Sequence, residues 1–456
     1  MRARIAALAV LASACGSEPD AAFPQPPRFV DLDPDPTIVE VHLIAEPGRA
    51  ELLPGKPADV WTFRDASAAR GGIPGPLLEA NLGDRIVVHF ENRLPDPTTV
   101  HWHGLRVPNA ADGTPIAQMM IEPGGTYDYE FTAVDEGLHW YHPHMEGDVQ
   151  IERGLYAPII IHGPVDPSVA ADRVFVLDDV KVESSGQLST VTNNLDVMLG
   201  RQGNVLLVNG RMDATLDVAA GSRERWRIVN VANGRYFNLD LPGHRFLVIG
   251  WDGGPLVTPY EAETLLVAPG ERYDVLVEIA SETTLRTRHY DRGHDLPDPG
   301  PIDLVPIRLG AAGTAPAPLP ETWGDVAALQ IDTTTPRIQF MLGEQETGVG
   351  EPTFSINGER YPDVTPTLAR KSDLAVWEIV NTTEMDHPFH LHGMSFQLLD
   401  DTGRVSQLAW KDTVNVLQKK TVRVAVRYEA EGRWMYHCHI LEHAERGMMG
   451  ELTVSP

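Results

Sequence analysis

Short runs of this chain alternate polar and apolar residues, which is the pattern of β-strands with one buried face. The alternation is clear over residues 85–90 and 422–426, and successive side chains of a strand point to opposite faces. Forty glycines and 37 prolines among 456 residues provide the turns that short strands need. We therefore predict an all-β protein, and the length predicts more than one domain.

One order of signals occurs three times along the chain: a turn near Asn or Gly, a polar stretch, and an alternating strand ending near Asn. The three copies span residues 75–95, 206–234 and 354–384. A shorter second element follows each copy, at residues 123–132, 269–279 and 419–428. The spacing of roughly 140–150 residues suits tandem domains rather than a solenoid. We predict three β-sandwich domains, over residues 37–164, 170–312 and 335–456.

The first residues have the pattern of an export signal. Arg2 and Arg4 precede an apolar stretch, residues 5–12, that is too short to span a bilayer. Small residues then lead to Cys15, as in a bacterial lipoprotein box, although Ala12 stands where Leu is expected. We predict a signal over residues 1–15 and a flexible tether over 16–36. Two alternatives follow: a lipid anchor through Cys15 at the outer membrane or cell surface, or a free periplasmic or secreted protein.

The formal net charge of −27 argues against a nucleic-acid partner, because phosphates would be repelled. The same acidity would attract cationic substrates, but it is equally typical of a soluble protein outside the cytoplasm. Charge therefore excludes one class of partner and selects no other.

Histidine spacing supplies the main functional signal. Seventeen histidines would form about 0.6 His-x-His pairs by chance, yet four pairs occur. Residues two apart on a strand share a face, so each pair presents two imidazoles, which suit Cu, Zn, Fe and Ni. The middle repeat has no pair, and we interpret it as a spacer. Eight imidazoles then meet only if the first and third domains touch. The pairs are His101/His103, His142/His144, His390/His392 and His437/His439.

One of the chain's two cysteines, Cys438, lies between His437 and His439. Strand alternation sends its sulfur to the face opposite those imidazoles, where it can join His387, three residues before His390. His443 and Met448 would complete a His₂Cys site with a weak thioether, which is the ligand set of blue copper. Zinc is the alternative, but one Cys among ten His fits a zinc site poorly.

The segments "HWHG", "HPH", "HPFHLHG" and "HCHILEH", followed by Met448, resemble the four copper signatures of the multicopper oxidases, the laccase-type family. The resemblance covers nearly the whole chain and implies three cupredoxin-like Greek-key domains and four coppers. It places the type 1 copper at His387, Cys438, His443 and axial Met448. It places the type 2 copper at His101 and His390. The type 3 pair would take His103, His142 and His439 on one ion, and His144, His392 and His437 on the other.

The resemblance also implies the reaction. A small-molecule reductant would give up four electrons, one at a time, to the type 1 copper. Cys438 would pass them to His437 and His439, and the cluster would reduce O₂ to two waters. An axial Met implies a low-to-moderate potential in the family's range. We expect a monomer with the reductant and O₂ as its partners.

Oxygen reduction consumes protons, so we expect a carboxylate near the cluster. Asp112 matches the family's acidic residue there, although an ordinary Asp-Gly turn is the alternative. Many bacterial relatives have a Glu directly after the second type 1 His, where this chain has Ala444; Glu442 and Glu445 are the candidates to substitute, and the proton path stays open. Seven other histidines show no pattern and are left out: His42, His89, His139, His162, His244, His289 and His294.

The substrate is the least determined feature. Phenols and aromatic amines are the first choice, on the expectation that an exposed edge of His443 accepts electrons from many small donors. A cuprous or ferrous oxidase is the alternative, but dedicated cuprous oxidases of the family have a methionine-rich insertion, and the comparable segment here, residues 341–358, has only Met341. A redox-inactive envelope scaffold is the alternative from another class. Such relatives have lost ligands, whereas this chain keeps all of them.

Overall fold

The computed structural model describes residues 23–164, 167–189, 192–294, 298–345 and 350–456. The predicted signal and Cys15 lie outside these ranges. Within them, the chain forms three consecutive pairs of β-sheets and only short helices, which confirms the prediction of an all-β fold. No helix in the described ranges is long and apolar enough to cross a membrane.

The first sandwich has two four-stranded sheets, in the orders β2-β1-β4-β6 and β3-β8-β7-β5. Both sheets contribute apolar side chains to one core, among them Val41, Phe90, Trp102 and Ile159. Its strands are β1 (Ile38–Leu53), β2 (Lys56–Asp65), β3 (Leu78–Asn81), β4 (Arg85–Asn92), β5 (His101–His103), β6 (Thr126–Thr132), β7 (Gly137–His142) and β8 (Ala157–His162). A 3₁₀ turn at Asn109–Ala111 and the short helix α1 (Gly147–Gln150) lie between strands.

The second sandwich has a six-stranded sheet, β10-β9-β12-β17-β14-β15, and a five-stranded sheet, β11-β19-β18-β13-β16. Its strands are β9 (Ala171–Val180), β10 (Val205–Val208), β11 (Leu216–Ala220), β12 (Arg223–Asn230), β13 (Phe237–Asp240), β14 (Phe246–Trp251), β15 (Gly254–Ala262), β16 (Thr264–Val267), β17 (Arg272–Glu278), β18 (Thr283–Arg288) and β19 (Ile302–Ala312). Helix α2 (Asn194–Leu199) begins at a capping box in which the Asn193 side chain accepts hydrogen bonds from two amides of the first turn.

The third sandwich has two five-stranded sheets, β21-β20-β23-β27-β25 and β22-β29-β28-β24-β26. Its strands are β20 (Arg337–Gln345), β21 (Thr353–Ile356), β22 (Thr367–Arg370), β23 (Leu374–Asn381), β24 (His387–Leu391), β25 (Phe396–Leu399), β26 (Thr413–Val416), β27 (Thr421–Arg427), β28 (Gly432–Cys438) and β29 (Met449–Ser455). Helix α3 (Leu441–Glu445) joins β28 to β29.

The same strand pairings recur in all three sandwiches. The opening strand runs parallel to a later central one in β1/β4, β9/β12 and β20/β23. In the opposite sheets, β3/β8, β11/β19 and β22/β29 are also parallel. The internal repeat seen in the sequence therefore corresponds to a repeated topology.

The described part of the predicted tether, residues 23–36, contacts the fold. The Phe23 ring lies 4.7 Å from the ring of Phe175 in the second sandwich. A few residues later, the Phe29 amide donates to the Leu77 carbonyl of the first sandwich at 3.2 Å. This segment therefore runs from one sandwich to the next.

Candidate metal centres

Four strand segments carry the paired histidines to one place. β5 lies antiparallel to β7 with His101 opposite His142, and β24 lies antiparallel to β28 with His390 opposite His437. Only His101 and His103 both lie within a strand, because the second histidine of each other pair follows the last residue of its strand. The pairs were predicted correctly as neighbours, but strand alternation accounts fully for only one of them.

The eight imidazoles form one group, called here the imidazole cluster, where the first and third sandwiches meet. The rings of His103 and His390 stack with centroids 3.8 Å apart, and those of His101 and His392 are 3.9 Å apart. The two members of each of these contacts come from different sandwiches, which confirms the predicted interface. Seven of the eight side chains are buried, and His144 is half-buried.

Several ring nitrogens of the cluster are buried without a hydrogen-bond partner. They are Nε2 of His101, His142 and His390, Nδ1 of His103, and both nitrogens of His439. In four of these five rings, those of His101, His103, His142 and His390, the second nitrogen has a hydrogen-bond partner in the protein. In three of the four, that partner is a backbone carbonyl. The His101, His142 and His390 Nδ1–H groups donate to the carbonyls of Asp112, Pro143 and Asp412 at 2.7, 2.8 and 3.0 Å. Such contacts select the tautomer that leaves a lone pair free for a metal.

The histidine donor atoms also form compact groups. Nε2 of His437 lies 3.3 Å from His144 Nε2 and 3.0 Å from His392 Nε2. These three are one of the two type 3 sets that the sequence predicted. The other predicted set, His103, His142 and His439, is slightly more spread: its ring centroids are 4.9, 5.7 and 5.8 Å apart, against 4.8, 5.1 and 5.2 Å in the first set.

Donor atoms of His101 group with His103 and His142 on one side, and with His390 and His392 on the other. His101 therefore lies close to ligands of both type 3 ions as well as to His390, its predicted type 2 partner. The predicted type 2 pair, His101 and His390, has ring centroids 5.9 Å apart.

Burial favours the neutral form of five of the cluster imidazoles. It lowers the pKa of His103, His142, His392, His437 and His439 well below the ordinary value, and repulsion between neighbouring rings lowers it further. A neutral imidazole has the lone pair that a metal ion needs.

The second candidate centre, called here the cysteine site, lies in the third sandwich. The Cys438 sulfur is 3.5 Å from His387 Nδ1 and 3.8 Å from His443 Nδ1, and these two nitrogens are 3.2 Å apart. All three side chains have no exposed surface. The sulfur faces away from the rings of His437 and His439, as strand alternation predicted.

Outer contacts fix both imidazoles of the cysteine site. His387 Nε2 lies 2.8 Å from the Thr383 hydroxyl, and the His443 Nε2–H donates to the Met198 carbonyl at 3.1 Å. Burial lowers the pKa of His387 to about 3 and raises the pKa of the Cys438 thiol. A buried thiol of this kind loses its proton when a metal cation compensates the thiolate.

Met448 is fully buried in the same apolar core as Cys438. The Cys438 amide donates to its carbonyl at 3.1 Å, and the Met448 amide donates to the His443 carbonyl at 3.0 Å. The backbone therefore holds Met448 beside both ligands. Met449, by contrast, begins β29 opposite His437.

The expectation that His443 has an exposed edge was wrong. Its ring is fully buried and stacks on Phe354 with centroids 3.9 Å apart. Helix α2 of the second sandwich, which provides the Met198 carbonyl, covers the far nitrogen. The middle sandwich therefore covers the cysteine site of the third sandwich.

Asp112 lies at the cluster rather than on a surface turn. Its Oδ2 accepts from His392 Nδ1 at 3.2 Å and from the Thr114 hydroxyl at 2.9 Å. Its Oδ1 is buried without a hydrogen-bond partner. Neither glutamate suggested in place of Ala444 has a described contact with the cluster: Glu442 pairs with Arg201 and Asn233, and Glu445 accepts from the Gly147 amide.

Sequence reasoning missed Asp412 and Thr413. Asp412 Oδ1 lies 3.2 Å from His103 Nε2 and 3.4 Å from His390 Nδ1. The Thr413 hydroxyl lies 3.2 Å from His103 Nε2 and 3.1 Å from His390 Nδ1. Their contacts with His103 depend on the meeting of two sandwiches, and those with His390 depend on the pairing of β24 with β26, in which His390 lies opposite Thr413. No spacing pattern in the sequence marks either residue.

The seven histidines without a pattern lie outside the candidate donor groups of the described ranges. Several have ordinary polar partners. His89 lies between Glu40 and Asp128, and the buried His139 ring lies 3.5 Å from Arg272.

The donor atoms of both centres fit copper. Copper accepts imidazole readily, and a Cys with two His and a weak thioether is the set of a blue copper site. The partnerless buried nitrogens support the same interpretation, because a buried polar atom without a partner is costly unless something binds it.

Comparison with known proteins agrees with this chemistry. Family models described as multicopper oxidase match residues 52–166, 179–290 and 330–456. The chain is 32% identical to multicopper oxidase MmcO of Mycobacterium tuberculosis over 83% of this chain and 81% of that protein. It is 25% identical to a Bacillus subtilis laccase, over 88% and 91%.

Among solved structures, a Campylobacter jejuni multicopper oxidase described as a metallo-oxidase matches with a TM-score of 0.84 and 27% identity, over 95% of this chain and 96% of that one. The chain, three cupredoxin-like sandwiches with two groups of copper-type ligands, therefore belongs to the multicopper oxidase family, whose members are copper-dependent, O₂-using oxidases with one type 1, one type 2 and a pair of type 3 coppers.

Proposed function

We propose that this chain is a laccase-type oxidase that couples one-electron oxidation of phenols and aromatic amines to four-electron reduction of O₂ to water. The observation that carries the proposal is the connection between the two centres. Cys438 belongs to one centre, and its chain neighbours His437 and His439 belong to the other. An electron received at the cysteine site therefore has two covalent routes to the imidazole cluster, each through the one peptide unit that joins Cys438 to His437 or to His439.

We assign the ligands as the family resemblance does. The coppers supply the one-electron and O₂ chemistry, and the protein holds them in place and limits solvent access. The type 1 ligands are His387, Cys438, His443 and Met448; the type 2 ligands are His101 and His390; the type 3 ligands are His103, His142 and His439 with His144, His392 and His437. Support comes from the convergence of these side chains and from their buried, partnerless nitrogens.

One observation in the sequence favours organic donors, whereas the covered His443 ring selects no donor class. Because that ring is buried behind the Met198 carbonyl, neither an organic donor nor a metal ion can contact it directly. The connection between β20 and β21, residues 346–352, contains no Met, His or Cys. The thioethers that suit Cu(I) are therefore missing from the sequence at the place where cuprous oxidases carry them.

Asp112 is the group that we propose donates protons during O₂ reduction. Its Oδ2 is fixed by His392 and Thr114, while Oδ1, 3.5 Å from His101 Nδ1, has no hydrogen-bond partner and is the oxygen that we assign to proton transfer. Asp112→Asn keeps the shape of the side chain but removes this function. Electron uptake at the cysteine site should remain while O₂ consumption falls, about 10²–10⁴-fold for a general acid. Unchanged O₂ consumption would exclude Asp112.

A metallo-oxidase is the second candidate, because the Campylobacter jejuni relative with a TM-score of 0.84 is described as one. Met119, 88% exposed, and Met120, 38% exposed, would offer thioethers to Cu(I) at the surface. Steady-state O₂ uptake with a phenol, Cu(I) and Fe(II) compared side by side separates the candidates. A higher kcat/KM for the phenol supports the laccase proposal, and a higher value for either metal ion contradicts it.

We also propose that the chain is exported, on the pattern of residues 1–15, and that Cys15 carries the lipid anchor. Cys438 is buried in the cysteine site, so the two cysteines have separate roles. Mass spectrometry of the mature N-terminus tests this, and an unmodified first residue would exclude the anchor.

A further inference from the structure

The middle sandwich contributes no histidine to the imidazole cluster, yet one of its turns lies directly against it. This turn, residues 268–271, joins β16 to β17. Gly270 has φ of +85°, and a Cβ built there would lie 2.9 Å from His439 Cδ2 and 3.2 Å from His103 Cε1. The backbone of the second sandwich therefore touches two rings whose own strands belong to the first and third sandwiches.

The residue after this turn, Arg272, has no exposed surface and is bonded in several directions. Its Nε donates to the Leu138 carbonyl at 3.0 Å, and Nη2 donates to the Asp252 carbonyl at 2.9 Å. Its two terminal nitrogens each donate to one Asp412 oxygen at 2.6 Å. This bidentate arrangement fixes the carboxylate plane as well as its position. Arg272 thus bonds to all three sandwiches at once.

Asp412 extends this contact to two imidazoles. Its carboxylate accepts from His103 Nε2 at 3.2 Å, and its backbone carbonyl accepts from His390 Nδ1 at 3.0 Å. The opposite nitrogens, His103 Nδ1 and His390 Nε2, are the ones that are buried without partners. Asp412 therefore selects which nitrogen of each ring faces the cluster.

The carboxylate of Asp412 requires a buried cation to remain charged at this depth. Arg272 is that cation, since its two terminal nitrogens each donate to one of the two carboxylate oxygens. The neighbouring Lys411 does not replace it, because its ammonium group is 2.9 Å from Asp252 and 3.1 Å from Glu271. Gly104, with φ of +90°, leaves the space that Arg272 occupies, since a Cβ there would lie 2.1 Å from Nη2.

We propose that Arg272, which belongs to the sandwich without copper ligands, is a positioning residue for the imidazole cluster and its type 2 and type 3 coppers. Through Asp412 it orients His103 and His390, so the middle sandwich sets the geometry of a site for which it provides no ligand. This inference rests on the ligand assignment of the proposed function. It replaces the interpretation of the middle repeat as a spacer.

Arg272→Lys and Asp412→Asn test the proposal in the full-length, copper-loaded protein. Lys keeps the charge without the bidentate geometry, and Asn keeps the shape without the charge. Arg225→Lys is the matched control, because Arg225 makes a comparable buried pair with Asp274 across β12 and β17. The measurements are copper stoichiometry under a chelator, the electron paramagnetic resonance signal of type 2 copper, and the blue absorption of the type 1 centre.

In the two test variants, we expect the blue absorption to stay and the type 2 signal to change. Copper retention at the cluster should weaken about 10–100-fold, as when outer partners of metal-bound histidines are removed. The control should match the wild type in all three measurements. A wild-type type 2 signal and wild-type retention in both variants would overturn the inference. Absence of blue absorption from the copper-loaded wild type would instead overturn the proposed function.

Discussion

Removal of copper should lower the free energy of unfolding of this protein, because it leaves buried ring nitrogens without a partner. Six ring nitrogens of the imidazole cluster are buried without a hydrogen-bond partner. They belong to five rings, and each ring offers one nitrogen to a metal ion, so copper can satisfy five of them. An unsatisfied buried polar atom costs roughly 1–3 kcal/mol, so at the lower limit the five cost about 5 kcal/mol when no metal binds them. Copper binds only the folded chain with this geometry, and its binding energy adds to the difference.

The assay is thermal unfolding of the copper-free and copper-loaded protein at one pH. If the described residues unfold together, the unfolding entropy is near 0.9 kcal/mol/K at about 2.1 cal/mol/K per residue. The expected rise in Tm on copper loading is then about 6 °C or more. His392→Ala should reduce this rise, since it removes a cluster ligand, whereas His89→Gln, on a half-exposed surface residue, should leave it intact. Equal Tm values for the copper-free and copper-loaded forms would refute the inference that copper binds these nitrogens.

Three further changes test the cysteine site and the charged interior. Cys438→Ser should abolish the blue absorption and turnover with little change in the circular dichroism spectrum, and an active variant would exclude the type 1 assignment. Met448→Leu should raise the type 1 potential in a redox titration by removing the axial thioether; an unchanged potential would favour Met449 or no axial ligand. Asp178→Asn should flatten the pH dependence of Tm. Burial raises the pKa of this carboxyl to about 8 from 3.8, so its contribution to stability is full below pH 4 and is lost as the pH rises towards 8. A slope equal to that of the wild type would contradict the buried, protonated state.

The sequence predicted those features that depend on local spacing. Alternation predicted the strands, and the repeat predicted three sandwiches of one topology. The position of Cys438 between His437 and His439 was enough to predict that its sulfur faces a different centre from their rings. Each of these features depends on residues a few positions apart, whose relation the backbone period decides.

The features that the sequence did not predict depend on contacts between sandwiches. The cover over His443 comes from Met198, 245 positions earlier in the chain. The partner of Asp412 is Arg272, 140 positions earlier. Such pairs have no common period and no shared motif, so spacing alone cannot find them. The second histidines of three pairs, His144, His392 and His439, lie just after the ends of their strands. Strand alternation therefore did not predict the directions of these three side chains.

The location of the imidazole cluster has a consequence for how the protein matures. One half of the donor set is made early in synthesis, with β5 and β7, and the other half is completed only by the residues just after β28. A growing chain therefore has only isolated histidine pairs, and the complete imidazole cluster forms after the third sandwich has been synthesised and has packed against the first. Full metal insertion must come after folding, in whichever compartment the finished chain reaches.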